Sequence, residues 1–209
     1  MKAITSTFKK LAKALQGRDR PKPRGIWTYD LERIAEASRA GDAREMVRLL
    51  DKYTVESLLA MTPLLHKAAA NGHLELMKVL LDHKAPVDDR DGAGATPLHI
   101  AAAAGQKAAA ELLIERGAAV DMQDATGMTP LMRACRGGQK GTADLLLQHG
   151  ARLDMTDDAG QTPGTIALEG GHKSLTALID NEIEDRAGHR LRRDITVRRI
   201  RLQKKRGPA

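Results

Sequence analysis

Seven histidines, a single cysteine and a tight carboxylate run at Asp88, Asp89 and Asp91 are the side chains of this 209-residue chain whose types invite metal or acid–base chemistry. His73-Leu74-Glu75 supplies half of a zinc-deaminase signature, in which His ligates zinc and Glu moves a proton. The other half, Pro-Cys-x-x-Cys, has no counterpart, because Cys135 is the only cysteine. A calcium loop spaces its oxygen ligands regularly and closes them with a Glu, so Asp88, Asp89 and Asp91 read instead as a solvated turn. Cys135 falls inside a predicted helix and reads as a small buried hydrophobe rather than a nucleophile. With no second cysteine to pair with, it also points to a reducing compartment. No glycine-rich phosphate cradle or activated nucleophile is present. The expectation is a protein with no catalytic residue, no metal, no cofactor and no small-molecule substrate.

The elements that position these residues follow a fixed beat. Thr62, Thr96, Thr129 and Thr162 each precede a proline at spacings of 34, 33 and 33, and Gly72, Gly105, Gly138 and Gly171 recur every 33 residues. Such a period marks supersecondary units that bury their apolar faces only against neighbours. Thr96 before Pro97 predicts a helix N-terminus, and Gly105 a left-handed helix end. Ala108, Leu112, Leu113 and Ile114 mark a second helix, closed by Gly117-Ala118. Between units, Val120 to Gly127 is a short apolar step followed by turn formers, and predicts a projecting hairpin finger.

Thr96-Pro97-Leu98-His99-Ile100-Ala101 and Gly117-Ala118-Ala119-Val120-Asp121 resemble the ankyrin repeat, whose period and Thr-Pro-Leu-His-x-Ala signature they share. The resemblance covers about residues 30–183 and implies an all-α solenoid of helix–turn–helix units with short β-hairpin fingers. Its domain spans residues 26–186: a capping repeat at 26–57, then units at 58–90, 91–123, 124–156 and 157–186. The unit at Thr62 carries an extra residue through Leu64-Leu65, Met132 replaces the signature's His, and Gly164-Thr165 replaces Leu-His. Trp27, Tyr29 and Tyr53 cluster at the first unit and, with Phe8, are every aromatic residue present; they read as a cover for the open end of the stack. His99, as part of the signature, is expected to brace backbone rather than bind metal. The family's contact surface, fingers and exposed first-helix positions, implies a protein partner at Asn71, Arg90, Ala93, Ala95, Ala103, Ala104, Gln123, Met128, Arg136, Thr156, Asp158, Gln161 and Glu169. Ala103, Ala104 and Gly137 would leave a trough poor in side chains, and Met122, Met128 and Met155 an adaptable finger surface.

The net charge of +7 hides a segregation. Residues 1–25 hold eight Lys and Arg against Asp19, and residues 189–209 hold nine against Asp194. Removing these 17 basic and two acidic residues from the totals of 34 and 27 leaves 17 and 25, so residues 26–188 carry −8. An acidic solenoid thus has basic arms at 1–25 and 187–209. Ile4, Phe8, Leu11 and Leu15 share one helical face in the first arm, with Lys2, Lys9, Lys10 and Lys13 elsewhere; such a helix suits an anionic membrane surface, a partner's groove or an organelle presequence. Pro21-Lys22-Pro23 reads as an extended linker. In the second arm, Arg198, Arg199, Arg201, Lys204, Lys205 and Arg206 suit phosphate, as in RNA, while aromatic residues for base stacking are missing. Asp180, Glu182, Glu184 and Asp185 crowd the last predicted helix end, where the dipole disfavours them, so residues 186–195 are expected to pack back as a cap. No apolar stretch is long enough for a signal peptide or a membrane span, which points to the cytoplasm, or to the mitochondrial matrix if residues 1–20 act as a presequence. Two functions remain open: a protein-binding scaffold or adaptor, and a structural subunit anchored through its arms to RNA or an anionic membrane.

Overall fold

The computed structural model describes residues 28–52 and 64–188. Ten helices are formed there: α1 (Thr28–Ala40), α2 (Ala43–Lys52), α3 (Leu64–Asn71), α4 (Leu74–Asp82), α5 (Pro97–Ala103), α6 (Lys107–Glu115), α7 (Pro130–Arg136), α8 (Lys140–Gln148), α9 (Pro163–Glu169) and α10 (173–188). They form two layers. The odd-numbered helices stack in chain order as an inner row, and α2, α4, α6 and α8 stack as an outer row. No described helix is long and apolar enough to cross a membrane.

Local chemistry sets the inner helices. Thr96, Thr129 and Thr162 stand in extended conformation as N-caps, each followed by a proline at the first helical position. The Thr129 and Thr162 hydroxyls accept from the Met132 and Thr165 amides. Ala68, Ala69, Ala101, Ala102, Ala134 and Cys135 are fully buried, and their small size lets neighbouring inner helices approach closely. Leu80, Leu113, Leu146 and Ile179 fill the space between layers in strict register, each contributing about 2 kcal/mol of apolar burial. Trp27 and Tyr53, expected to cover the first end, lie outside the described residues, as do residues 1–25 and 189–209 with Ile4, Phe8, Leu11, Leu15 and Arg198 to Arg206, and residues 189–195 of the expected cap.

The last unit departs from the beat. Gly117 and Gly150 take positive φ of 90° and 84° just beyond α6 and α8, and stop them. Ile183 occupies that register in the fifth unit, where a β-branched side chain resists the left-handed region, so α10 continues through residue 188. Arg186 on this extra length donates to the carbonyls of Leu147 and Ala151 and pairs with Glu182. Asp180, Glu182, Glu184 and Asp185 all lie on α10, where Arg186 pairs with Glu182.

The fingers differ from the expected β-hairpins: no strand forms among the described residues. Each is instead an Asp-x-x-Gly turn. Asp124 donates its amide to the Met128 carbonyl, Gly127 donates back to the Asp124 carbonyl, and the Asp124 carboxylate accepts from the amides of Thr126 and Met128. Asp91 and Asp157 repeat this arrangement. Among the described residues the bonding stops at this closure, and no ladder extends from it. Successive fingers are joined by one backbone bond each, Ala125 N–H to Ala93 carbonyl and Asp158 N–H to Thr126 carbonyl.

Gly127 and Gly160 share one register and nearly one φ, 73° and 76°. A Cβ on Gly127 would lie 2.8 Å from the Asp158 nitrogen, whereas a Cβ on Gly160 would meet nothing within 4 Å. Gly160→Ala is therefore expected to cost about 1 kcal/mol from backbone strain alone, and Gly127→Ala about 3 kcal/mol once backbone overlap is added. Urea unfolding of the two variants measures the difference, and equal losses would show that finger stacking is not the constraint.

Candidate functional site

Within each unit the residues that the family resemblance singled out are held from two sides. The last turns of the inner helices present Asn71, Ala103 with Ala104, Arg136 with Gly137, and Glu169 at one register, and all are exposed. The fingers present Arg90, Ala93, Thr156 and Asp158, also exposed, with Gln123 and Gln161 half-buried. Direct bonds place both rows on one side of the molecule. Gln161 Nε2 donates to the Glu169 carboxylate at 2.5 Å, and Arg133 Nε of α7 donates to Asp124 of the finger at 2.7 Å.

These rows are also tied from unit to unit. Arg90 donates to the Gln123 carbonyl, and Gln123 Nε2 donates to the carbonyls of Gly127 and Thr156. Gln106 and His172 reach back to the carbonyls of Ala70 and Arg136, and His73 to that of Arg39. These three side chains, with Gln139, lie where a Cβ on Gly41, Gly72, Gly105 or Gly138 would fall, each within 2.6 Å. The glycine beat therefore serves the neighbouring unit as much as the helix end.

Two predicted contacts are corrected. Met128 is 1% exposed and Ala95 3% exposed, so both belong to the core and cannot meet a partner. Their register is the base of the finger, where the chain turns into the inner helix and the side chain points inward; Met122 and Met155 are half-buried. The exposed tip is Ala125 and Thr126, with Gly92 and Ala93, and Ala159 in the adjoining fingers. The Asp-x-x-Gly spacing marked them in the sequence, since the two central residues of such a turn face solvent. The face is also not uniformly acidic: exposed Arg90 and Arg136 lie in its middle, and Asp158 and Glu169 at its last unit.

The chemically capable side chains serve structure. His99 Nδ1 accepts from the Thr96 amide, and its Nε2–H donates to the Met128 carbonyl of the next unit. Burial lowers its pKa, although the bond to Met128 opposes this, so the ring stays neutral and both nitrogens are committed. His66 makes the same contact to the Ala95 carbonyl. Met132 and Thr165, at that register, form no such bond to a following unit among the described residues. Asp88 accepts from the Ala119 amide and Asp91 from the amides of its own finger. Cys135 is fully buried, and burial pushes its thiol up to about 12.

A family model described as ankyrin repeats (3 copies) matches residues 34–124 and 112–187. No curated protein matches the chain.

The buried Asp124 links finger to helix and carries a pH signature. Burial alone would raise its pKa, but bonds from the Thr126 hydroxyl and amide, and the bond and charge of Arg133, outweigh it and hold the carboxyl at about 2. A depressed folded-state pKa stabilises above the unfolded value near 4, and that stability is lost as pH falls through the folded value. Asp124→Asn should therefore cost about 2 kcal/mol at neutral pH, with the gap from the parent closing between about pH 4 and pH 2. Urea titrations across that range decide the point, and a gap that does not change with pH would refute it.

Proposed function

Because the chain belongs to the ankyrin-repeat family, whose repeats are protein-interaction modules, we propose that it is a non-catalytic protein-binding scaffold or adaptor. It engages its partner through the inner-helix ends and fingers. The observation that carries this reading is the row Asn71, Ala103, Ala104, Arg136, Gly137 and Glu169, exposed side by side on units whose backbones are cross-bonded. Small residues at Ala103, Ala104 and Gly137 let another backbone come close, while Arg90 and Arg136 offer planar donors that favour an acidic or carbonyl-rich segment. Rigidity matters as much as shape. A face already ordered loses little conformational entropy on binding.

A second reading is favoured by the charge segregation, +7 and +8 on the arms against −8 on the body. In it the chain is a structural subunit whose arms anchor to RNA or an anionic membrane, and whose repeats bridge neighbours. Loss of association when the arms' cations are neutralised, with the repeat face intact, would favour this reading over the first.

Affinity purification with the full chain tests the first reading. Ala104→Arg together with Arg136→Glu should weaken retention of the protein partner at least about tenfold, equivalent to about 1.4 kcal/mol, with the melting temperature unchanged. Met128→Ala should do the reverse, costing about 2–4 kcal/mol of stability through a core cavity while leaving the affinity of the folded protein intact. Undiminished binding by the first variant would overturn the assignment of this face.

A further inference from the structure

Each unit offers the next a surface of constant register, and that surface is covered everywhere except beyond the fifth unit. Ala69, Ala102 and Cys135 are fully buried, whereas Leu168 at the same register is 66% exposed. Met77, Ala110 and Ala143 are fully buried, and their counterpart Thr176 is half-buried. A Cβ on Gly138 would meet His172 of the following unit, while one on Gly171 would meet nothing within 4 Å. Gly160 is open in the same way where Gly127 is blocked. Terminal repeats of a solenoid turn a polar outer face to water. Here Gln161, Thr165 and Thr176 do so, but Leu168 does not. Among the described residues, nothing occupies the position that a further unit would take.

We propose that residues 189–209 of the same chain seat on this open end and close it. Three observations choose that occupant. The segment follows α10 without a break, and its 21 residues can span about 70 Å when extended, far more than the roughly 10 Å that separates packed helices. The charges are complementary: residues 157–188 hold seven carboxylates against Lys173 and Arg186, a balance of −5, and residues 189–209 carry +8. The segment also carries Leu191, Ile195, Val197, Ile200 and Leu202 among its cations, which supplies apolar surface for Leu168. A second copy docking through the same end would instead set −5 against −5. The proposal does not depend on which partner the inner-helix face takes.

Zero-length carbodiimide cross-linking of the dilute full-length protein, followed by mass spectrometry of the monomer, tests this. Lys204 or Lys205 should link to Glu169, Asp180, Glu184 or Asp185 within one chain. The yield should fall at least about fivefold at about 1 M salt, where charges are screened beyond about 3 Å. Leu168→Arg, at an exposed position, should lower the yield similarly without changing the melting temperature. Hydrogen exchange of the unmodified chain provides a second measure, with amides in 189–209 protected at low salt. Links confined to a dimeric species would overturn the proposal in favour of a second copy. Absent links together with unprotected amides would overturn it in favour of an end left open for a separate partner.

Discussion

No unit of this molecule can bury its own apolar face, and everything else depends on that constraint. The inner helices from α5 to α9 are seven residues long and the outer ones nine, well below the length at which an isolated helix holds in water. Stability therefore resides in contacts that repeat every 33 residues between neighbours. Alanines and Cys135 pack between inner helices, leucines pack between layers, and backbone groups at the edges are satisfied by the side chains of the adjoining unit. His99 shows how closely the two levels are joined. One ring nitrogen completes the cap of its own helix and the other holds the base of the next finger.

That arrangement has a functional corollary. Three of the chemically capable side chains are committed to the stack: His99 has no uncommitted nitrogen, Asp124 is paired with Arg133, and Cys135 is fully buried. What the stack does present is an ordered row of helix ends and finger tips. Its exposed charge is graded, with arginines toward the middle and carboxylates at the final unit. The grading leaves the most acidic unit next to the most basic stretch of the chain.

Legibility in the sequence varied with how local the cause was. The helix starts at Thr96, Thr129 and Thr162 were legible because capping and proline act within four residues. So were the bracing role of His99 and the inert character of Cys135, since both follow from the repeat register. The hairpin strands were overestimated: turn formers at Asp124 to Gly127 signal a reversal but not whether enough chain remains for a ladder. Met128 was misplaced because a finger's tip and base differ by only two residues, and only packing decides which of them faces inward. The prolongation of α10 was overlooked although Ile183 stands plainly where glycine belongs.

By itself the sequence determined the repeat, the starts of its inner helices at Thr96, Thr129 and Thr162, and the segregation of charge along the chain, because periodicity, capping and charge are properties of residues in order. Only the tertiary structure decided which side chains meet water. Burial of Met128, exposure of Leu168 and the space around each glycine depend on whether a neighbouring unit is there to cover them. A residue's chemistry is the same in every unit. Its environment is set by the unit that follows, and after α10 no further unit follows among the described residues.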